Sequence, residues 1–269
     1  MNKTVTDFFE KEKIEYYAAL DYASIRETKP HLRERAGFVP KSVIIFLLPY
    51  YLPGAVNLSA YATSLDYHIA IKEITGSLID ALLAEYPDNR FVGFGDHSPI
   101  DERHAALIAG LGVLGKNGLL INEKYGSYVF IADIVTDLAP EVLGARAPGL
   151  VGRCVGCGSC LVACPTGILR GKGEDCLSAI TQKKGELTES EKALMRRQST
   201  AWGCDVCQEA CPHNRYMRET PLPFFAKERV LRLDSAVLDS MDDDSFSKRA
   251  FAWRGRAVVE RNVKILENE

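Results

Sequence analysis

The chain has 269 residues, 46% of them hydrophobic and 26% charged, with a formal net charge of −3. This length permits one large domain or two, and the apolar share is that of a globular chain with a full core. The charge balance excludes polyanion binding by overall charge, and no apolar run approaches the ~18 residues of a membrane-spanning helix.

In chain order, residues 4–13 are expected as a short amphipathic helix and 43–48, the run VIIFLL before Pro49, as a buried strand. Residues 64–85 are the strongest helix: Tyr67, Ile71, Ile74, Leu78 and Leu82 recur at helical spacing and Pro87 ends it. A short strand is expected at 90–94 and a helix at 101–111, followed by a glycine-rich turn from Gly110 to Gly118. Residues 119–122 and 127–136 are expected to pair as strands around Lys124-Tyr125-Gly126, and 138–152, with Pro140 and Pro148, to be a linker. The Gly110-x-Gly112-x-x-Gly115 spacing fits a dinucleotide fingerprint, but it follows a helix and precedes strands, so no nucleotide is expected there. Asn57-Leu58-Ser59 fits the glycosylation pattern, which has no meaning in a cytoplasmic protein. A charged helix is expected at 189–198.

All eight cysteines lie between 154 and 211. Cys154, Cys157, Cys160 and Cys164, followed by Pro165, have the C-x2-C-x2-C-x3-C-P spacing of a 4Fe–4S site, in which the fourth cysteine serves a second cluster. Cys176 followed by Cys204, Cys207 and Cys211-Pro212 repeats the pattern with an insertion. Two quartets follow: Cys154, Cys157, Cys160 and Cys211 for one cluster, and Cys164, Cys176, Cys204 and Cys207 for the other. Gly156, Gly158 and Ser159 are small enough for backbone N–H groups to approach cluster sulfides. Disulfides would need an oxidising compartment, and no secretory signal is visible. Zinc ordinarily takes two separated pairs. A reducing, cytoplasmic location is therefore expected. The resulting architecture is α+β: a domain at 1–145, then a ferredoxin-like module with two 4Fe–4S clusters at 146–269. Such a module passes single electrons and needs an external one-electron donor.

Further motifs carry a resemblance. They are Asp96-His97-Ser98-Pro99-Ile100-Asp101-Glu102-Arg103, Ala109-Gly110-Leu111-Gly112-Val113-Leu114-Gly115-Lys116-Asn117 and Gly203-Cys204-Asp205-Val206-Cys207-Gln208. Shorter matches are Tyr61-Ala62, Asp66-Tyr67-His68, Tyr125-Gly126-Ser127, Arg254-Gly255-Arg256 and Arg261-Asn262. Together, from about Val43 to Asn268, they resemble epoxyqueuosine reductase, a cobalamin and iron–sulfur enzyme that performs the last step of queuosine synthesis in tRNA. The resemblance implies a nitroreductase-like cobalamin-binding domain, electrons passing through the clusters to give Co(I), and removal of the epoxide oxygen. It places Asp96 at the proton-donor position, and Tyr61, Tyr67, His68, Lys116, Asn117, Gly118 and Leu120 as cobalamin-binding residues. The glycines of the turn would let backbone approach the corrin. A short form without the family's helical-repeat extension is expected, with Val113 in place of the usual aromatic and Gly118 in place of threonine.

An acid near the reacting oxygen suits epoxide opening, because the developing alkoxide must be protonated. The alternative for Asp96 is capping of the following helix. Lys248, Arg249, Arg254, Arg256, Arg261 and Lys264, interleaved with Phe251 and Trp253, suit tRNA, with Lys183, Lys184, Arg196 and Arg197 adding to the footprint. The alternative is a solvated face whose aromatics pack inward. Neither DNA nor a membrane is expected as a partner. The rival functions are a reductive dehalogenase-like reductase of small molecules and a two-cluster electron-transfer accessory protein.

Overall fold

A strand of eight residues, every one buried, needs a layer on each of its faces. The computed structural model describes residues 1–149 and 152–268, and they fall into two compact units. The first unit comprises Met1–Pro49 and His68–Gly156, and the second Tyr50–Tyr67 and Cys157–Glu269. The strands are β1 (Tyr17–Asp21), β2 (Ser42–Pro49), β3 (Phe91–Gly95), β4 (Val113–Leu114), β5 (Leu120–Ile121) and β6 (Val129–Thr136). Helices α1 (Lys3–Lys11), α2 (Pro30–Ala36), α3 (Tyr67–Glu85), α4 (Glu102–Ile108) and α5 (Pro140–Leu143) accompany them.

The main sheet is antiparallel in the order β1-β2-β6-β3. On one face Ile44 and Phe46 pair with Ile134 and Ala132, and Gly93 and Gly95 continue those rows. Phe9 of α1 packs on Phe46 at 5.0 Å between ring centroids. Helix α3 lies against the two glycines: a Cβ at Gly93 would stand 2.6 Å from Thr75 Cβ, and one at Gly95 2.5 Å from Ile71 Cδ1. On the other face Val43, Ile45, Leu47 and Val135 pack with Ala105, Ala106 and Ile108 of α4. Helix α4 is capped by Asp101, whose carboxylate accepts the His104 N–H at 3.0 Å and pairs with Arg26. The capping role weighed for Asp96 thus belongs to Asp101.

Residues 119–122 and 127–136 do not pair as strands. Leu120–Ile121 closes a hairpin with Val113–Leu114, while Val129–Thr136 enters the main sheet between β2 and β3, and the bridge Asn122–Gly126 closes the turn that separates them. The expected linker opens with α5, and its residues Leu150 and Val151 lie outside the described residues, as does Glu269 of the expected second domain. Residues 50–67, which fall within the expected 1–145 domain, group with the C-terminal unit.

The second unit carries α6 (Ser159–Ala163), α7 (Leu177–Thr181), α8 (Glu189–Arg197), α9 (Val206–Glu209), α10 (Ser235–Asp239), α11 (Asp243–Ser247) and α12 (Arg256–Glu267). Thr188 and Glu191 form a capping box at the start of α8. Leu58 and Ala62 join Trp202, Phe251, Val259 and Val263 in its core. Asn262 of α12 is fully buried and donates to Thr181 O (2.6 Å) and Ala201 O (2.8 Å). Asn57 of the glycosylation-like triplet is also buried, bonded through both ends of its amide to the Leu233 backbone. Among the described residues no helix is long and apolar enough to cross a membrane.

Replacing Gly95 by valine keeps a strand-favouring residue but drives its branches into Ile71. The variant should lose ~1–3 kcal/mol, the usual cost of overpacking, read as a lower urea midpoint. An unchanged midpoint would show that α3 does not need the glycine surface.

Candidate functional site

In the second unit the first cysteine run turns through Gly158 (φ 79°), which places Cys160 in the first turn of α6. All eight cysteines are free thiols. Burial pushes the Cys160 thiol up, as do the facing Cys211 and Cys157. Burial pushes the Cys204 thiol up to about 12, against the Val206 N–H and with Cys176 and Cys207 adding to it. The thiols that act on one another are therefore Cys160 with Cys157 and Cys211, and Cys204 with Cys176 and Cys207. Around Cys164 the balance reverses. Burial raises it, but donors at Leu169, Thr166 and Gly167 outweigh burial and hold the thiol below its ordinary value. Such a ring of N–H donors also suits cluster sulfides. Among the described residues no three His, Cys, Asp or Glu side chains close on a point that would hold a single ion. A cubane, whose four thiolates grip the corners of a larger cage, does not require that. Cys154 belongs to the first unit, where its N–H donates to Leu114 O at 3.1 Å and so continues from β4.

The second cysteine run is fixed by Asp205. Its carboxylate accepts from Ser59 Oγ (2.6 Å), the Ala60 N–H (2.6 Å) and Gln208 Nε2 (2.8 Å). Beside it Ser59 N donates to Trp202 O (2.8 Å) and Ala201 N to Asn57 O (2.7 Å). The approach is close enough that a Cβ on Gly203, itself at φ 76°, would overlap Ser59 Cβ. The fully buried Trp202 donates through Nε1 to Tyr61 Oη at 2.9 Å, and Tyr61 meets Tyr67 edge-on at 6.4 Å. Tyr61 and Tyr67 thus share the second unit with the cysteines.

The other candidate residues lie in the first unit. Asp96 follows β3 with φ 62°, a left-handed conformation uncommon for aspartate, and its side chain is 58% exposed. Its Oδ2 stands 4.0 Å from His68 Nε2, and Lys29 Nζ donates to its carbonyl at 3.3 Å. Its backbone N–H donates to the Glu102 carboxylate. His97 is exposed beside Lys29. Lys116, Asn117 and Gly118 form the tip of the β4–β5 hairpin, closed by Gly115 N to Leu119 O (2.9 Å) and Gly118 N to Gly115 O (3.0 Å). The Lys116 side chain passes Gly156 of the first cysteine run, with 3.7 Å to a Cβ there. Leu120 instead points into the core with α4. Gly112 and Gly115 face their own hairpin: added Cβ atoms would strike Ile121 O at 2.7 Å and Asn117 Oδ1. Their smallness serves the tight turn rather than an approaching ligand.

Most of the C-terminal cations are engaged within the second unit. Arg256 binds the carbonyls of Leu238 and Met241, Arg261 those of Lys183 and Gly185, and Arg249 that of Glu228. Lys248 pairs with Asp244, and Lys183 with Asp175 (2.7 Å) and Glu191 (2.5 Å). Phe251 is buried, whereas Trp253 is 57% exposed with the Arg254 guanidinium 3.8 Å from its ring centroid. A stretch that reads as a uniform basic face is in large part internal scaffolding, with one exposed aromatic–cation pair. Sequence reasoning passed over Asp205, Trp202, Glu102 and Asp133. Asp133 had a visible signal, as the lone acid within the apolar strand VFIADIVT.

A family model described as a 4Fe-4S double cluster binding domain matches residues 153–214. An epoxyqueuosine reductase of Cyclobacterium marinum is 30% identical over 248 residues, covering 85% of this chain and 77% of the relative. One from Cellulophaga algicola is 32% identical, covering 84% and 77%, and one from Listeria monocytogenes is 32% identical, covering 75% and 54%. The chain thus spans about half the length of the Listeria relative. The solved structure of epoxyqueuosine reductase from Streptococcus thermophilus matches with a TM-score of 0.76 at 23% identity, covering 99% of this chain and 81% of that one. A crystal structure of epoxyqueuosine reductase with an epoxyqueuosine-modified tRNA stem loop matches at 0.74 and 22%, covering 98% and 80%. The fold and the cysteine-rich region are those of a 4Fe–4S protein with an α/β partner unit. The chain belongs to the epoxyqueuosine reductase family.

Reconstituted protein should bind ~8 iron atoms, and Cys160→Ala and Cys204→Ala should each retain ~4, since each breaks one cubane. Loss of all iron in both variants, or of none, would contradict two independent quartets.

Proposed function

We propose that the chain is a cobalamin- and iron–sulfur-dependent oxidoreductase that removes the epoxide oxygen of epoxyqueuosine in tRNA. The observation that carries this reading is the grouping of thiols, Cys160 with Cys157 and Cys211 and Cys204 with Cys176 and Cys207. Completed by Cys154 and Cys164, these would make two 4Fe–4S ligand sets, and the protein that carries them would be cytoplasmic. An external one-electron donor would fill them one electron at a time.

In this reading the first unit is a nitroreductase-like cobalamin domain. The residues of this unit that would hold cobalamin are Lys116, Asn117 and Gly118 of the hairpin with His68, and Leu120 would contribute only through its backbone; Tyr61 and Tyr67 belong to the second unit. The residues fit a polar corrin edge: Lys116 is exposed at the hairpin tip, and beside it Asn117 is fixed by accepting the Leu119 N–H on its Oδ1 at 3.4 Å. When bound, cobalamin would supply a low-valent cobalt centre as the immediate reductant. Asp96 would protonate the epoxide oxygen as its carbon–oxygen bond breaks, and the exposure of its carboxyl lets it reach a ligand. His68, 4.0 Å away, would orient that carboxyl. For tRNA the Trp253–Arg254 pair offers a stacking surface, with Lys184 and Lys264 as phosphate contacts.

The chain should turn over epoxyqueuosine in an anticodon stem loop faster than the free nucleoside. Asp96→Asn should lower turnover by ~100-fold or more, within the usual range for a general acid, with cobalamin still bound by absorbance. Undiminished turnover would remove Asp96 from the chemistry.

A further inference from the structure

Asp96 is backed by two further acids. Glu102, the first residue of α4, accepts the Asp96 backbone N–H, and its Oε1 is buried with no hydrogen-bond partner. Asp133 of β6 is 0% exposed on the sheet face that packs against α4. One of its carboxyl oxygens accepts from Ser98 Oγ at 3.0 Å, and the other has no partner. The two acids are neighbours, since the charge of Glu102 acts directly on Asp133. Two enclosed carboxyl oxygens without donors are stable only where the groups carry protons, because an ionised carboxylate left unpaired in a core is strongly unfavourable. The pair does not serve the packing of the sheet, which apolar residues would do better.

The reaction needs such a store. Converting an epoxide to an alkene consumes two electrons and two protons: both carbon–oxygen bonds break, a carbon–carbon double bond forms, and the oxygen leaves as water. The electrons come from the one-electron donor through the clusters. A single Asp96 carboxyl carries one proton, so it must be reloaded before the second bond breaks. We propose that Glu102, backed by Asp133, is the proton reservoir that reloads Asp96 within each turnover. This inference rests on the epoxide-reduction reading. Glu102 acts through Asp96 and is a positioning and supplying residue.

The electrostatics agree. Burial, then the charge of the facing Asp96, raises Glu102 from its ordinary 4.5 to about 7, with the Asp96 backbone N–H and then Lys29 opposing and Asp101 adding to the rise. Burial, then Glu102, raises Asp133 well above the carboxylate range, against the Ser98 hydroxyl. Arg26 pairs with Asp101, and His68 faces Asp96. The folded chain therefore holds a Glu102 proton that the unfolded chain releases from pH 4.5. Stability from this group is intact below that pH, falls as pH rises through about 7, and is level above.

The test compares wild type with Glu102→Gln, which keeps the size of the side chain and an acceptor for the Asp96 N–H. In cofactor-free protein, infrared titration should show a protonated carboxyl band that disappears with a midpoint of about 7 and is missing from the variant. The variant should also lose the fall in stability over that interval. With iron and cobalamin bound, Glu102→Gln should turn over ~10- to 100-fold more slowly, at or below the low end of the range for a general acid because Glu102 acts through Asp96, with the alkaline limb near pH 7 gone. Glu102→Asp should restore part of both. A wild-type rate and pH profile in Glu102→Gln, or no such band in the wild type, overturns the reservoir. A wild type that shows the band yet never consumes epoxyqueuosine overturns the epoxide reading instead, and with it the reservoir's role in that reaction.

Discussion

The second unit depends on the carboxylate of Asp205. It lies between Cys204 and Cys207 in sequence and accepts three hydrogen bonds, two of them from a segment about 145 residues earlier in the chain. Enclosing a carboxylate is unfavourable unless its lone pairs are met, and burial does raise Asp205 against the Ser59, Ala60 and Gln208 donors. Those three bonds make the enclosure tolerable and make it specific: a chain that slipped by one residue would leave both the carboxylate and the Ala60 N–H unpaired. The cysteines on either side are thereby held in place by the protein's own hydrogen bonds. Gly203 follows from the same contact, because a Cβ there would overlap Ser59 Cβ and stand 3.3 Å from the Tyr61 ring.

The thiols from Cys157 to Cys211 and the tyrosines Tyr61 and Tyr67 belong to the second unit, whereas Cys154, Asp96, Glu102, Asp133 and His68 belong to the first. The sheet explains how the first unit carries buried acids at all. Its β2 strand is apolar on both faces and supplies the core, leaving the adjacent β6 able to carry one acid, Asp133, opposite Ile45 and Phe94. The loop after β3 then bends through the left-handed Asp96, and the Glu102 carboxylate receives the N–H that this bend would otherwise leave open.

What could be read in the sequence was what depends on local spacing. The cysteine pattern, the buried strand at 43–48, the helix at 64–85 and the charged helix at 189–198 are set by nearest neighbours along the chain. The structure shows each within a few residues of its expected limits. Pairing was not legible. Residues 119–122 and 127–136 read as a hairpin because a turn separates them, yet each segment found a different partner strand through contacts distant in sequence. The basic C-terminal run shows the same limit from the other side: charge pattern cannot tell an arginine facing solvent from one, such as Arg256, that caps chain carbonyls. Gly112 and Gly115 likewise read as room for a ligand, and the room is taken by the hairpin itself.

The central claim is that one chain joins two iron–sulfur clusters to a corrin. The most direct measurement is an anaerobic reductive titration of the reconstituted protein in the presence of one equivalent of cobalamin, followed by electron paramagnetic resonance. The account requires reduced-cluster signals and a protein-bound cob(II)alamin signal in the same sample, the latter disappearing as further electrons are added. A protein that takes up its full iron, shows both clusters reducing, and leaves the cobalamin free in solution would contradict it.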